Sequence, residues 1–403
     1  MNILVANLGS TSFKYRLYRM PEAIELARGS IERIGSAESR SMVSIGEYRN
    51  EVVAGVADHA AAVRQCLAQL TDTDHGCLRQ ADEVAAIGFK AVHGGRLSGV
   101  QQIDEEVLEA MAEMNDVAPA HNPPYIAAMR QLSEQLPQIP LVAAFETGFH
   151  QTIPKANATY AIPEVWDREL NIRRFGFHGA SHRFIAQRVA EKFNRGDLRV
   201  ISCHLGGSSS LTAIRNGQSV ATSMGASPQS GILQNNRVGD FDPFTLPLIM
   251  RQTGLTLEQV LKKLASEGGL LGISGKSGDV RDLEQAASEG EPAATLALDT
   301  FVADIRKYLG WMLVELGGTD VLVFTGGIGE NSAAVRSAVC RDLTQLGIDL
   351  DENQNRNARG EVAIESDKSQ SQIWVIPTNE EIVVASQVFS ALNDKNTNIQ
   401  EAN

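Results

Sequence analysis

Two stretches of the chain share one pattern of apolar and polar positions. Residues 3–18 read ILVANLGSTSFKYRLY, and residues 200–215 read VISCHLGGSSSLTAIR. In each stretch an apolar, β-branched run leads into a cluster of Gly, Ser and Thr and then into a second run, which predicts a β-hairpin with a tight turn. The turns match at Leu8 and Leu205, Gly9 and Gly206, and Ser12 and Ser209. The repeat predicts two related domains, each of which opens on a hairpin.

The two turns carry many N–H and O–H donors and little side-chain bulk, which suits close approach to phosphate oxygens. Gly and Ser also occur in hairpin turns for purely structural reasons. The repeat favours the first interpretation, in which the two related domains hold one polyphosphate. The copies differ where the first has Asn7 and Lys14 and the second has His204 and Leu211. We therefore expect the two turns to differ in chemistry.

Outside the hairpins, the pattern alternates between strands and helices, which is typical of an α/β fold. A polar stretch at 35–50 is interpreted as a connection, and the long Gly-rich loop at 223–243 as a binding loop. Helices are predicted near 55–70 and near 104–114, and a further helix is predicted to end at about 136. Two more helices are predicted, from FGFHGASH to about 193 and from PTNEE at 377–381. The predicted strands lie at 84–92, 141–145 and 321–324.

One further helix and one further site follow from the last third of the chain. Apolar residues at alternating steps of four and three predict a helix with one buried face. They are Leu298, Val302, Ile305, Leu309, Met312 and Leu316. After the strand at 321–324, GGIGENS predicts a glycine loop, with Asn331 or Ser332 capping a helix that begins at Ala333. This arrangement favours an anion or nucleotide site, although such turns also serve packing alone.

Length and charge narrow the possible functions. A chain of 403 residues fits two or three domains, and the repeat favours two. A net charge of -13 argues against electrostatic binding of nucleic acid or of an anionic membrane. Because neither a signal sequence nor an apolar run of about 18 residues occurs, we expect a cytoplasmic protein. The four cysteines are widely spaced, which favours small core residues over a zinc or disulfide framework.

Two segments resemble known binding motifs but lack residues that those motifs require. SGKS at 274–277 resembles the end of a P-loop, but Leu270 stands where that motif needs glycine. His178 and His182 have the spacing of a helical zinc pair, but no Glu lies between them and Gly179 interrupts the pattern. We therefore expect neither a P-loop nor zinc.

Nine sequence blocks, taken together and in order, resemble the acetate kinase family of short-chain carboxylate kinases. They are NLGSTSFKY, AVHGG, PAHNPP, FETGFH, FGFHGASH, CHLGGSSS, VGDFDP, FTGGIGENS and PTNEE. The resemblance implies an α/β fold of the sugar kinase, Hsp70 and actin (ribonuclease H-like) type, with two duplicated domains and the active site in the cleft between them. On this basis we expect an actin-like N-terminal domain at 1–150 and a nucleotide-binding C-terminal domain at 151–382. A last helix at about 383–393 is expected to pack back on the first domain.

The resemblance also implies an activity. It is reversible phosphoryl transfer from ATP to acetate, giving acetyl phosphate and ADP, with Mg²⁺ or Mn²⁺ as the metal and a homodimer as the assembly. We add the hypothesis that propionate is accepted. Two alternatives stay open: a divergent member with another acyl acceptor or phosphoryl donor, and a weakly active nucleotide-binding regulator.

The resemblance assigns roles to particular residues. The implied metal ligands are Asn7 and Glu380. The implied catalytic residues are Lys90, His121, Glu146, His178 and Arg237. The implied carboxylate pocket consists of Lys90, Val92, Ala120 and Pro228. The implied ATP contacts are Ser10, Ser12, Lys14, His204, Leu205, Gly206, Gly207, Ser208, Asp279, Val280, Arg281, Gly327, Ile328, Gly329, Glu330 and Asn331.

The chain departs from the family pattern within these blocks. Lys90 replaces an arginine, which keeps the charge but loses the planar fork of a guanidinium. Glu146 replaces an aspartate, which moves the carboxylate by one C–C bond and can cost on the order of a hundredfold in rate. Gly207 stands in place of asparagine. Ala120 replaces the usual leucine, so we expect a larger pocket for the alkyl group.

Overall fold

The computed structural model describes residues 1–9, 11–119 and 121–401, with side chains through residue 394. Ser10 and Ala120 therefore lie outside the described residues. The chain forms two compact units, Met1–Gly148 with Asn379–Asn403, and Phe149–Thr378. Among the described helices, none combines the length and apolar character that crossing a membrane requires.

The first unit is built on one eight-stranded sheet. Its strands are β1 (Asn2–Leu8), β2 (Ser12–Arg19), β3 (Ile24–Glu32), β4 (Ser39–Ile45), β5 (Tyr48–Ala54), β6 (Val84–Ala91), β7 (Val100–Gln102) and β8 (Leu141–Phe145). Its first three helices are α1 (His59–Leu70), α2 (Glu105–Ala112) and α3 (Asn122–Gln135). The strand order is β5-β4-β3-β2-β1-β6-β8-β7, with β1 parallel to β6 and β6 parallel to β8.

The predicted hairpin at the start of the chain is confirmed, because β1 and β2 pair antiparallel with Asn7 opposite Lys14. The interpretation of residues 35–50 as a connection is wrong, because β4 and β5 form a second hairpin there. In β4, buried positions alternate with exposed ones, and two of the buried positions are Ser39 and Ser41. A strand with serines on its inner face reads as polar, which explains the error.

The second unit is built on a six-stranded sheet. Its strands are β9 (Arg199–His204), β10 (Ser210–Arg215), β11 (Gln218–Thr222), β12 (Val321–Thr325), β13 (Val362–Ala363) and β14 (Gln372–Val375). Its helices are α4 (Lys155–Ala158), α5 (Glu164–Leu170), α6 (Gly179–Phe193), α7 (Leu246–Thr253), α8 (Leu257–Ser266), α9 (Gly269–Ser274), α10 (Val280–Ser288), α11 (Pro292–Leu316), α12 (Gly326–Asn331), α13 (Ala333–Cys340) and α14 (Glu352–Asn357).

The order of the second sheet, β11-β10-β9-β12-β14-β13, repeats the plan of the first. Both sheets contain three antiparallel strands in reverse chain order, β3-β2-β1 and β11-β10-β9, followed by two strands parallel to the last of them; β4 and β5 extend the antiparallel part of the first sheet. The duplicated α/β fold expected from the sequence is therefore confirmed. The long helix predicted from its apolar stripe is also confirmed as α11, in which Ile305, Leu309 and Met312 are fully buried.

The second hairpin is confirmed, but its register differs from that of the first. In β1 and β2, Asn7 lies opposite Lys14. In β9 and β10, His204 lies opposite Ser210, and Leu211 lies opposite Cys203. The second turn is therefore one residue shorter, so Ser210 and not Leu211 occupies the place of Lys14. A constant offset between the two sequences cannot reveal this shift.

The side chains of β9 and β10 alternate between two layers, as they do along any strand. Ile201 and Cys203 pack in the core that contains α11. Val200 packs instead with Ile185 and Val189 of α6. The alternation places the polar residues at 202, 204 and 210 in the layer that faces α6.

The C-terminal helix α15 (Glu380–Glu401) belongs to the first unit and packs on β1, β6 and β8. It begins before, and continues past, the predicted span 383–393. Val384 and Val388 lie in one apolar cluster with Ile3 and Val5 of β1. A Cβ at Gly88 in β6 would lie 2.8 Å from Val388, so the absence of a side chain there lets the helix approach closely.

Candidate active site

Polar side chains meet at the carboxyl ends of the parallel strands in the first unit. Asn7 lies near the end of β1, Lys90 near the end of β6, and Glu146 directly after β8. Glu380 is the first residue of α15, which packs on these three strands. The carboxyl ends of parallel strands in an open sheet are the usual place for ligands. The structure therefore brings together four of the residues to which the resemblance assigns roles.

The closest contact in this cluster is an ion pair. Lys90 Nζ lies 2.6 Å from Glu380 Oε2, and both side chains are largely shielded from solvent. Burial alone would lower the pKa of Lys90, but the carboxylates of Glu380 and Glu146 outweigh that effect and raise the pKa above its usual value. Lys90 is therefore a fixed cation next to two carboxylates, held by residues that are remote in sequence.

Tyr125 of α3 joins the same cluster. Its hydroxyl donates to Asn7 Oδ1 at 3.1 Å and accepts from the Leu8 N–H at 3.2 Å. Burial raises the pKa of this phenol, so it stays a neutral donor. Tyr125 has no role among the sequence predictions, although it directly follows the block PAHNPP. Its effect is to hold the amide of Asn7 in one orientation.

The turn after β1 is closed by its own backbone. Gly9 N–H donates to the Ser12 carbonyl at 2.8 Å, and a Cβ at Gly9 would lie 2.4 Å from Ser12 Oγ. His59 Nε2 lies 2.8 Å from the Gly9 carbonyl and ties the turn to α1. Lys14 is exposed on β2. The turn is thus a tight glycine turn, with the Ser12 hydroxyl and the long cationic side chain of Lys14 beside it.

His121 and Val92 also belong to the first unit. His121 directly precedes α3, and Val92 directly follows β6. Both side chains are half-buried. Pro228, the remaining described residue of the implied carboxylate pocket, is buried in the second unit, where its carbonyl accepts from Gln234 at 2.8 Å.

The donor set of the first unit fits a hard divalent cation. Asn7 and Glu380 offer an amide oxygen and a carboxylate, the ligand types that Mg²⁺ and Mn²⁺ take in proteins. Among the described residues, no group of three or more His, Cys, Asp or Glu side chains could hold a metal alone. A site with two protein oxygens suits a cation that also binds water and phosphate oxygens.

In the second unit, His178 stands at the start of α6 with φ 56° and ψ 29°. A non-glycine residue costs roughly 1 kcal/mol or more in this left-handed region. The conformation is held by contacts of the ring, because His178 Nδ1 lies 2.7 Å from Ser210 Oγ. The ring also stacks on His204, with 4.4 Å between centroids and 29° between planes. Two residues with implied roles are thus in direct contact.

His150 fixes the backbone in front of His178. Its Nε2 lies 2.9 Å from the Phe177 carbonyl, and its Nδ1 lies 2.9 Å from Ser219 Oγ. A carbonyl only accepts, so Nε2 carries the proton and Nδ1 accepts from the serine. Burial lowers the pKa of His150 to about 4. His150 has no role among the sequence predictions, although it ends the block FETGFH.

His150 should make the protein less stable in mild acid. Its pKa is about 4 in the folded state and about 6.5 in the unfolded chain, so only the unfolded chain binds the proton between these values. Stability from this group is therefore complete above about pH 6.5 and is lost as the pH falls towards 4. We expect its contribution to the free energy of unfolding to fall by roughly 2 kcal/mol between about pH 7 and pH 5, measured by urea denaturation.

The control for this prediction is His150→Gln, which keeps a donor and an acceptor but does not titrate. The variant should lose less stability than the wild-type protein over the same pH interval. Equal losses in the two proteins would show that His150 is not the titrating group.

Arg237 is a half-buried cation among neutral groups. Its guanidinium lies 3.3 Å from Gln234 Oε1 and 3.5 Å from both Ser208 Oγ and the Pro228 carbonyl. Within the described part of the chain no carboxylate forms an ion pair with it, and burial lowers its pKa. These contacts are long, so the guanidinium retains the capacity to bind an anion.

Three segments implied in ATP binding adjoin one another in the second unit. A Cβ at Gly206 would lie 3.8 Å from the backbone nitrogen of Gly327, and one at Gly207 would lie 3.4 Å from the amide of Asn235. The backbone of Asn235 would in turn lie 2.6 Å from a Cβ at Gly278. These close approaches place the segments at 206–207, 278 and 327 next to one another, and a Cβ at Gly327 would meet nothing within 4 Å.

The prediction that GGIGENS forms a glycine loop is wrong. Residues 326–331 form the short helix α12 directly after β12, and its amides at Ile328 and Gly329 donate to the Leu205 carbonyl. The predicted helix from Ala333 is confirmed as α13. Its N-cap is Ser332, whose hydroxyl accepts from the Val335 N–H at 3.0 Å. Asn331 instead donates back to the Gly327 carbonyl.

The remaining implied nucleotide residues begin α10. Asp279 caps this helix and pairs with the exposed Arg281, and Val280 between them is buried in the core. Leu205 is also buried in that core, so its side chain serves packing. Glu284 in the middle of α10 accepts from Ser332, which places this part of α10 beside the end of α12.

The repeated sheets, with polar groups at the ends of their parallel strands, define a phosphotransferase of the duplicated actin-like fold. Residues 2–386 match the model of the Acetokinase family. An acetate kinase of Shouchella clausii is 41% identical over 387 residues, covering 95% of this chain and 97% of the relative. A propionate kinase of Citrobacter rodentium is 42% identical over 390 residues, covering 96% of each.

The structural comparison agrees. The crystal structure of Porphyromonas gingivalis acetate kinase superposes with a TM-score of 0.87 at 36% identity, covering 97% of this chain and 99% of that one. The chain belongs to the acetokinase family, and it is a phosphotransferase.

Proposed function

We propose that the protein is an acetate kinase that transfers the γ-phosphoryl group of ATP to acetate and also accepts propionate. The observation that carries the proposal is the family match over residues 2–386. The cationic and polar clusters of both units support it, because phosphoryl transfer to a carboxylate needs fixed positive charge and positioned donors.

The chemistry asks little of side-chain bases. Acetate is ionised at neutral pH, so one carboxylate oxygen attacks the γ-phosphorus directly. The bond from that phosphorus to the β–γ bridging oxygen breaks, and ADP leaves with the bridging oxygen. Charge moves onto the oxygens of the transferred group in the transition state. We assign Lys90, His178 and Arg237 to the stabilisation of that charge, with His121 as a further polar contact.

We assign the metal to Asn7 and Glu380, as Mg²⁺ or Mn²⁺. When bound, the metal neutralises phosphate charge and orients the nucleotide. Tyr125 orients the Asn7 amide through its hydroxyl. Lys90 and Glu146 set the electrostatics around Glu380, since the three side chains interact in one cluster. Ser10, Ser12 and Lys14 are the proposed contacts of the phosphates in the first unit.

We assign ATP chiefly to the second unit, residues 149–378. The surface at Gly206, Gly207 and Gly327 supports this assignment, because a Cβ at Gly327 would meet nothing within 4 Å, which leaves room for a ligand against the backbone. Asp279 and Arg281 stand at the start of α10 beside this surface, where their exposed charges can reach a ribose or phosphate.

The propionate part of the proposal is supported by the relative that is named a propionate kinase. The test is hydroxylamine trapping of acyl phosphate from Mg²⁺-ATP with formate, acetate, propionate and butyrate in separate reactions. We expect product with acetate and propionate at comparable kcat/KM. Turnover of acetate alone would remove propionate from the proposal, and ATP binding without any acyl phosphate would favour the regulator alternative.

We further propose a homodimer. Apolar side chains are exposed along 241–261, on and around the paired helices α7 and α8. Phe244 is 89% exposed, and Leu248, Leu257 and Leu261 are each nearly half exposed. A patch of this kind is typical of a surface that associates with another copy or a partner. The second copy is the occupant we propose for it.

Replacing Phe244 by aspartate should weaken this dimer. A charge in the centre of an apolar contact loses the burial of the ring and must be desolvated. Light scattering after gel filtration should show a dimer for the wild-type protein and a shift towards monomer for Phe244→Asp. The control is Val53→Asp, at a site that is 61% exposed on β5 in the other unit. A shift in the control, or none in Phe244→Asp, would contradict the placement.

A further inference from the structure

A chain of hydrogen bonds runs behind His178, in the layer between β9, β10 and α6. Ser202 Oγ lies 2.9 Å from His182 Nδ1, and His182 Nε2 lies 2.8 Å from Ser210 Oγ. The same Ser210 Oγ lies 2.7 Å from His178 Nδ1. Every member except His178 is fully buried. We call the series Ser202, His182, Ser210 and His178 the relay.

His182, in the middle of the relay, keeps the direction of hydrogen-bond donation the same on both of its sides. Both ring nitrogens of His182 bond to hydroxyls, and burial keeps its pKa well below the usual value, so the ring is neutral and carries one N–H. It therefore donates to one serine and accepts from the other. Ser210 has one proton and two histidine partners, so it donates to at most one of them, and when its proton stays within the relay it accepts from the other.

With the Ser210 proton kept within the relay, two directions are consistent. In the first, the Ser202 hydroxyl donates to His182 Nδ1, His182 Nε2–H donates to Ser210, and the Ser210 hydroxyl donates to His178 Nδ1. The proton of a neutral His178 is then on Nε2. In the second, all three bonds are reversed, and a neutral His178 has a lone pair at Nε2. Only the first direction gives a neutral ring that can donate from Nε2 to an anionic oxygen.

We propose that His182 and Ser210 are positioning residues that hold His178 as the neutral Nε2–H tautomer, so that it donates a hydrogen bond to the transferred phosphoryl group. The proposal rests on the role of His178 in the proposed function. It deepens that role by naming the groups that set the proton position. The Ser210 hydroxyl thus acts through His178 and does not itself contact the substrate.

Two substitutions at one position separate this role from simple packing. In His182→Gln the side-chain amide nitrogen can reach the place of Nε2 and still donate to Ser210. In His182→Asn the shorter amide reaches only the place of Nδ1, so the bond to Ser210 is lost. Ser210→Ala removes the link to His178 altogether. A matched control is Thr212→Ala, which removes a buried hydroxyl from the same face of β10. Among the contacts described, this hydroxyl bonds only that of Thr222, which in turn donates to the Leu211 carbonyl.

The expected kinetic result is a change in kcat at nearly constant KM. Ser210→Ala and His182→Asn should lower kcat by about 30-fold, a smaller effect than the loss of a whole oxyanion donor. His182→Gln and Thr212→Ala should stay within about fivefold of the wild-type enzyme. Equal losses in His182→Gln and His182→Asn would overturn the proposal, because a packing role would not distinguish donor positions.

A second readout does not depend on activity. Nitrogen-15 NMR of histidine-labelled protein near neutral pH should show His178 with a protonated Nε2 and an unprotonated Nδ1. Ser210→Ala should give a mixture of the two tautomers. A protonated Nδ1 in the wild-type protein would overturn the proposal. The tautomer can be read even from a protein without kinase activity, so this result is separable from a failure of the proposed function.

Discussion

Replacing Arg237 by alanine should lower kcat with ATP and acetate by about a thousandfold, which corresponds to about 4 kcal/mol of transition-state stabilisation. The reason is electrostatic. The guanidinium is half-buried, its contacts are neutral acceptors at 3.3 to 3.5 Å, and burial lowers its pKa. The protein itself stabilises the positive charge of Arg237 only weakly, so this cation should act mainly on the negative charge of the transferred group.

Two further substitutions make the Arg237 prediction specific. Arg237→Lys keeps the charge but loses the planar fork, so it should recover only part of the rate. Arg174→Ala is the structural control, because Arg174 is also a half-buried arginine of the second unit, bonded to the Ser223 carbonyl and stacked over Tyr160. It should lower stability without a comparable loss of kcat. Similar losses of kcat at the two positions would contradict the assignment of Arg237.

Replacing Glu380 by glutamine should lower kcat by about a hundredfold and raise the concentration of Mg²⁺ needed for half-maximal rate. The variant removes a proposed metal ligand and also leaves Lys90 without its closest anion, since the two side chains are 2.6 Å apart. Excess Mg²⁺ should restore part of the rate. Titration of activity against Mg²⁺ at saturating ATP measures both effects.

The neighbouring acid provides the matched control. Glu381 also lies in the first turn of α15 but pairs with Arg16 at 3.9 Å. Glu381→Gln should leave the Mg²⁺ dependence unchanged. Lys90→Met should lower kcat without changing that dependence greatly, because it removes the cation and keeps the ligand. An unchanged Mg²⁺ dependence in Glu380→Gln would remove Glu380 from the metal site.

Much of the fold follows from the sequence because its signals are local. Apolar runs around Gly and Ser indicate the two hairpins, and an apolar stripe indicates α11. The errors arise where polar residues are buried in a strand or where glycines lie in a helix. Ser39 and Ser41 are buried on β4, so the strand pattern is hidden. In GGIGENS, the glycines predict a loop, but the structure has the short helix α12, whose first-turn amides at 328 and 329 donate to the Leu205 carbonyl.

The candidate site was less accessible to sequence reasoning. The roles of Asn7, His178 and Arg237 came from a resemblance, and their partners could not be read from it. The ion pair joins Lys90 to a residue 290 positions away, and the bond of Tyr125 to Asn7 spans 118 positions. Such pairs depend on strand order and register. The one-residue shift that places Ser210 against His178 is a register effect of the same kind.

We propose that this chain transfers a phosphoryl group directly from ATP to a carboxylate. The most direct test is phosphorus NMR of purified protein with Mg²⁺-ATP and acetate labelled with oxygen-18 in both carboxylate oxygens. We expect acetyl phosphate whose phosphorus signal carries the isotope shift of one bridging oxygen-18, together with unlabelled ADP. Acetyl phosphate without that shift, or no acetyl phosphate from a protein that binds ATP, would contradict it.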